Sequence, residues 1–514
     1  MEKAYLIGID LGTMGSKAAI YDLEGNLIAE AYEESIIRYP KAGWVEQELN
    51  DIYQSAINCI FSVMQKSGIN NSAVSAIAFS SQMSGIGMIN DAWEPIAHYD
   101  SWLDTRCEAS IREMGKFSDE VTRVSGCPPT YAHGAKKIWW KNNKRDVFRR
   151  TAKFIVPLTY VAGKMANLKG KDAYIDRTCL HFSGLSDTRS EKWSAELLEH
   201  FGIPEAKLPK IVSPMEIIGK VNNEAARLTG LKEGTPIAAG AGDQAAAALG
   251  VGAVTPGDIF DSAGTASVFS LCVDQFKPDV ENKVVLASHG VVPGTFNALS
   301  FINGGGLNLR WFRDNFGAEE QKIAKEMEEN VYQLFDRLAD KVPPGAGRSL
   351  FVPHLQGRVL PPDSSLRGLW VGFTWGHSRA YLFRAMLEAV AYEYAYYLEI
   401  EKELHPGLRF NDVRVIGGGA SSKLWNQIKS DVLNIPYCLV NRSEVGTWGC
   451  ALIAGASVGL FPNLSDSAKQ HTTVIERVEP CAEYHQLYKP YATLYREIVE
   501  KYSDTFNGLQ KLPD

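Results

Sequence analysis

The chain has 514 residues, 45% of them hydrophobic and 22% charged, with a formal net charge of −7. That length exceeds one hydrophobic core and asks for two or more domains, and without a basic excess nucleic acid is excluded as a partner. The eight cysteines form no Cys-x-x-Cys pair, which argues against a zinc site or disulfide framework; no apolar run reaches the length of a membrane span, and the start passes directly into a strand without a leader, so no membrane partner and a cytoplasmic protein with reduced thiols are expected.

In chain order, residues 4–36 read as a three-stranded meander with a turn at Glu24-Gly25-Asn26. Its first connection, Asp10-Leu11-Gly12-Thr13-Met14-Gly15-Ser16-Lys17, predicts a phosphate hairpin. Glycines there permit positive φ and close approach of backbone N–H groups to a ligand. Thr13 and Ser16 add hydroxyls, and Asp10 can face Mg²⁺ through water. A plain tight hairpin explains the segment equally well by itself. Apolar spacing predicts a helix over Asp51 to Lys66, then buried strands over Val74–Ser80 and Gly85–Ile89. Three polar–aromatic clusters lie beside predicted strand ends: Gly43 to Gln47, Ser81-Gln82-Met83-Ser84-Gly85, and Trp102 to Arg106. They could stack on and hydrogen-bond a polyhydroxylated ligand, or be surface loops anchored by buried Trp. Strands alternate with helices to about residue 250, the pattern of an α/β domain. The buried strand Thr235–Gly240 runs into Ala241-Gly242-Asp243-Gln244. Asp243 is expected to cap the following helix, whose dipole would keep it ionised; a base for a substrate hydroxyl is compatible with that place. Val254-Thr255-Pro256-Gly257 marks the domain boundary, giving domains 1–253 and 254–514.

The second half repeats the first. Ser262-x-Gly264-Thr265 aligns with Asp10-x-Gly12-Thr13, so two hairpins would face each other and clamp a triphosphate. Only the first offers a carboxylate, which fits one metal site. A long helix is predicted over Arg379–Glu401. A strand at Arg414-Val415-Ile416 then enters Gly417-Gly418-Gly419-Ala420 before a helix over Leu424–Leu433, where a flat aromatic base could lie on backbone.

Taken together and in order, these motifs resemble the FGGY carbohydrate kinases. Lys137-Ile138-Trp139-Trp140 is similar to the core of that family's first signature, and Gly368 to Glu388 to its second. Gly134, Phe373 and Tyr381 depart from the signatures, the second hairpin reads Ser-Ala-Gly-Thr-Ala, and Ser84 stands where the xylulokinase branch usually has His. The resemblance implies an α/β fold of two actin-like ATPase (ribonuclease H-like) domains with a cleft between them. It implies ATP-dependent phosphorylation of a sugar or polyol, a ketopentose such as D-xylulose leading and another ketose, an aldonate or a polyol as alternatives. ATP and Mg²⁺ are the implied cofactors. Asp243 would be the base. Gly12, Thr13, Met14, Lys17, Gly264, Thr265, Gly305, Gly418, Gly419 and Ala420 would hold the nucleotide, with Asn303 and Gly304 as further candidates beside Gly305. Gln82, Met83, Ser84, Asp104, Asp243 and Gln244 would face the sugar. Asp10 and Asp243 would be the metal-side carboxylates. A homodimer is compatible with the sequence and not fixed by it. An actin-like filament or chaperone ATPase without a sugar is the alternative of another class, and a catalytically dead sugar sensor a third.

Overall fold

The computed structural model describes residues 4–509 together with Lys511 and Leu512. The opening meander is β1 (Tyr5–Leu11), β2 (Gly15–Asp22) and β3 (Leu27–Glu34), followed by α1 (Leu49–Ser67) and β4 (Val74–Ser81). Three short strands, β5 (Ile217–Lys220), β6 (Pro236–Ala238) and β7 (Ala241–Gly242), complete the first sheet before α2 (Asp243–Gly250). The first sheet has the order β5-β6-β4-β1-β2-β3, with β7 also paired to β4. β1 runs antiparallel to β2 and parallel to β4. Ile7, Ile9 and Leu11 are buried, because the sheet is covered on both faces and its central strands read as near-continuous apolar runs.

The second half includes β8 (Ile259–Ala263), β9 (Ser267–Val273), β10 (Leu286–His289), β11 (Phe296–Ile302), α3 (Gly305–Phe316), α4 (Arg379–Leu404), β12 (Val413–Ile416), α5 (Lys423–Leu433), β13 (Tyr437–Val440), α6 (Val445–Ser457), β14 (Val474–Val478) and α7 (Ala482–Leu509). The second sheet runs β10-β11-β9-β8-β12-β13-β14. The antiparallel run β8-β9-β11, with β12 parallel to β8, copies β1-β2-β3 with β4. The internal repeat read from the hairpins is therefore a repeat of whole sheets.

The halves meet through glycine. α6 packs on β1, β4 and α2, although its sequence belongs to the second half. A Cβ on Gly8 of β1 would lie 1.8 Å from the Thr447 carbonyl oxygen, and one on Gly449 would lie 1.9 Å from that of Ala246. Backbone oxygens cannot rotate away, so only glycine lets α6 seat there. The hairpin glycines correct a sequence-based expectation. Gly12 and Gly15 do not have positive φ; Gly15 is needed for room, since a Cβ there would meet the Tyr32 ring at 2.4 Å and the Glu33 carbonyl at 2.5 Å.

Candidate active site

Three segment ends of the first sheet converge. Asp10, near the end of β1, sits beside Ser80 on β4, and its Oδ1 accepts from the Ser80 Oγ at 2.7 Å. Burial raises its proton affinity, against the Ser80 hydrogen bond and the nearby charge of Lys17. Asp243 opens α2, where the cap residue is Gly242. The capping role expected for Asp243 thus falls to its neighbour, and its Oδ1 accepts from the next backbone amide, Gln244 N, at 2.7 Å. Burial, and then the charge of Asp10, push its pKa up to about 7. This reverses the expectation that the helix dipole would hold it low: desolvation outweighs a dipole contribution of about 0.3–1 kcal/mol. A carboxylate poised near neutrality is the better general base.

The raised affinity has a measurable sign. The folded chain holds the Asp243 proton above the model-compound value of 3.8, so protonation stabilises the fold; that contribution is complete below the unfolded pKa and is lost as pH rises through about 7. Two buried carboxylates of this kind suit a divalent cation, which competes with the proton. The thermal stabilisation produced by Mg²⁺ is therefore expected to be larger at about pH 8 than at about pH 6. A shift that does not change with pH would put Asp243 outside the cation's reach.

The second sheet assembles its own set. Gly264 and Thr265 join β8 to β9, and their carbonyls accept from Gly306 N at 2.9 Å and Leu307 N at 3.0 Å in the first turn of α3. Gly305 lies against Ser267, where a Cβ would be 1.9 Å from the Oγ. Gly417, at φ +86°, leaves β12 directly over Ala263 and Gly264, with its virtual Cβ 2.8 Å from the Ala263 carbonyl. Gly418 has open space above it, and Ala420 is pinned by Asn426 Nδ2 donating to its carbonyl at 2.8 Å. Gly264, Thr265, Gly305, Gly418, Gly419 and Ala420 are thereby gathered at one end of the sheet.

Two carbohydrate-kinase models match this architecture in register with its two halves: the N-terminal domain of the FGGY family over residues 5–250 and the C-terminal domain over 261–458. The chain belongs to the FGGY family of carbohydrate kinases. This kinase is 28% identical to a xylulose kinase of Bacillus subtilis, over 98% of this chain and 99% of that one. It is equally 28% identical to an autoinducer-2 kinase of Escherichia coli, over 95% and 92% of the two chains. Its fold matches that of a xylulose kinase from Lactobacillus acidophilus with a TM-score of 0.89 at 24% identity, covering 98% of this chain and 100% of the other. The two-domain actin-like fold and the kinase class expected from the motifs are thus established, and the sugar-free filament or chaperone ATPase is set aside.

The kinase links the loops that carry Gln47, Gln82 and Trp102 to the first hairpin by a chain of side chains. Gln82 Nε2 donates to Gln47 Oε1 at 2.9 Å, Gln47 Nε2 to the Thr13 carbonyl at 3.3 Å, and Trp102 Nε1 to Thr13 Oγ1 at 2.8 Å. Thr13 accepts there, so its own hydroxyl proton is not used in that bond. Gln82 Oε1 and Gln244 Oε1 are buried without a protein partner, which leaves both as free acceptors. Met83 packs against Gly242, and its carbonyl is paired with His133 Nε2. Ser84 opens onto a cavity of about 520 Å³ between the lobes, whose far wall includes Phe301, Asn303 and Val359. Met14 is 67% exposed at the hairpin tip.

Three expectations change. Asp104 does not face the cleft. It is wholly buried, its carboxylate taken up by Arg106 (Nη2 to Oδ2, 2.6 Å) and Val45 N (2.7 Å), and Arg106 lies 3.7 Å from the centre of the Trp44 ring. The motif is the anchor that holds Trp102 in place. Lys17 is ion-paired with Glu444 at 2.6 Å, so its charge is shared before any phosphate arrives. Ser16 is fully buried and offers no hydroxyl to the cleft. Sequence reasoning missed Ser80, Glu444 and Thr178, whose Oγ1 accepts from Gly242 N at 2.9 Å; nothing in their local sequence separates them from ordinary core residues.

Proposed function

We propose that this kinase transfers the terminal phosphoryl group of ATP to a hydroxyl of a small ketose, a ketopentose such as D-xylulose giving the 5-phosphate. The observation that carries the reading is the buried base Asp243, pushed up to about 7, beside two unpartnered amide oxygens on Gln82 and Gln244. Those oxygens accept hydroxyl protons and orient a polyhydroxylated substrate. Asp243 then takes the proton of the attacking hydroxyl. The transition state is loose and little proton transfer is needed early, so positioning and charge neutralisation carry most of the rate. The hairpins at Thr13 and Thr265 hold phosphate oxygens, and the Gly417–Ser421 turn shapes the adenine pocket. Mg²⁺, held at Asp10 with Asp243 alongside, would neutralise phosphate charge. Closure of the lobes excludes water and limits wasteful hydrolysis of ATP.

A coupled ADP-release screen across pentuloses, hexuloses, aldonates and polyols tests the substrate class, and a best substrate outside the ketoses would overturn it. Asp10→Ala is expected to raise the Mg²⁺ concentration needed for half-maximal rate and to lower kcat, whereas Thr265→Val raises the KM for ATP with a smaller change in kcat. Mg²⁺ titration at saturating ATP separates the two, and an unchanged curve for Asp10→Ala would remove its metal role.

A further inference from the structure

What fixes Asp243 in space lies outside its own segment. Its carboxylate accepts from the backbone amide of the next residue, Gln244 N, and a bond that local cannot set it against the rest of the sheet. The strand that leads into it, β7, has only two residues, Ala241 and Gly242, facing Ser80 and Ser81 of β4. The buried Gly242 amide donates to Thr178 Oγ1, 64 positions away, at 2.9 Å. A hydroxyl carries one proton, and its lone pairs are aimed only when that proton is committed. Thr178 commits it to Asp176 Oδ1, which also accepts from Thr178 N at 2.9 Å. Asp176 and Thr178 are both fully buried. Burial pushes the Asp176 carboxyl up to about 6, so at neutral pH it is mainly a carboxylate, an acceptor without a proton to give.

The segment that carries Thr178 is held from its other side as well. Residues Arg177–Ser183 form a 3-10 turn, and Cys179, Leu180 and Phe182 share an apolar cluster with Leu286 and Leu299 of the second half. Arg177 Nη2 donates to the Val291 carbonyl at 3.2 Å. Neither Asp176 nor Thr178 has surface left to touch a substrate. Resting on the reading of Asp243 as the base, we infer that Thr178, oriented by Asp176, is a positioning residue: the chain Asp176–Thr178–Gly242 fixes the backbone one residue before Asp243 and so aims its carboxylate at the attacking hydroxyl. A valine at position 178 keeps the shape but leaves the Gly242 amide buried with no acceptor, and the short strand shifts to find one. A shift of about 1 Å at a reacting group costs up to about 100-fold in rate.

The test is a set of variants assayed with the best sugar of the ADP-release screen, D-xylulose being the expected one. Thr178→Val is expected to lower kcat about 10- to 100-fold and to leave the KM for ATP within about 2-fold of wild type. Thr178→Ser, which restores the hydroxyl, should return kcat to within about 3-fold. Asp176→Ala should lose as much as Thr178→Val, and the two together no more than either alone, since both break one chain. In an Asp243→Asn background Thr178→Val should cost less than about 3-fold, because the group it positions is gone. Circular dichroism and a melting curve on each preparation establish that it is folded, and Thr178→Ala stands in should Thr178→Val not fold. A kcat near wild type in Thr178→Val, a loss that Thr178→Ser does not repair, additive losses for Asp176→Ala and Thr178→Val, or an undiminished loss in the Asp243→Asn background overturns the inference and leaves the base in place. A wild-type kcat in Asp243→Asn itself overturns the reading of the base, and this inference with it.

Discussion

Asp243→Asn is expected to lower kcat by on the order of 10²–10⁴ while the protein stays folded and still binds ATP. Asn keeps the shape, and its side-chain oxygen can still accept from the Gln244 amide, the hydrogen bond the carboxylate makes at 2.7 Å. It cannot take the hydroxyl proton, and it removes one of the two mutually repelling carboxylates that raise the site's affinity for protons and cations. The loss should therefore appear in kcat, with the KM for ATP little changed and the thermal midpoint equal or higher, since a buried charge has been relieved. Single-turnover phosphorylation, a binding titration with ATP and a melting curve on one preparation separate these readouts. Turnover near wild type in the folded variant would defeat the assignment of Asp243 as the base.

The largest effect on stability is expected from Lys429→Met. Lys429 on α5 and Asp261 on β8 form an ion pair at 2.7 Å with both side chains fully buried. Tyr394 of α4 donates to the other carboxylate oxygen at 2.8 Å, and the ammonium lies 4.0 Å from the centre of the Trp425 ring. Removing the cation leaves Asp261 charged in an apolar interior, a cost of about 3–5 kcal/mol. Asp261 also stands just before the Gly264-Thr265 turn, so the KM for ATP should rise as β8 loosens. Asp261→Asn combined with Lys429→Met should recover a substantial part of the loss, because no unpaired charge remains. Thermal midpoints of the single and double variants decide this. A midpoint for Lys429→Met within a few degrees of wild type, about 1 kcal/mol or less, would mean the pair is not holding the strand.

Much of this was legible in the sequence because it is local. The meander, α1, β4, α4 and the turn after β12 follow from apolar periodicity and glycine placement, and the paired hairpins announce the duplicated sheets. The roles of single charged residues were less legible. Asp104 lies in a Trp-x-Asp-x-Arg stretch that reads equally as a ligand grip or an anchor, and only the arrival of Val45 and Arg106 from both sides decides for the anchor. Lys17 looks free for phosphate until Glu444, 427 positions away, is seen beside it.

By itself the sequence determined the class of the protein: two similar α/β halves, each with a glycine turn after its first strand, and an Asp placed between a short strand and a helix. Periodicity and turn chemistry act over a few residues, so they survive in one dimension. The tertiary structure alone decided the pKa of Asp243, the partner of Lys17 and the burial of Asp104. Each depends on desolvation or on charges brought from the other half of the chain. Those effects scale with what surrounds a group in space, which neighbours in sequence do not report.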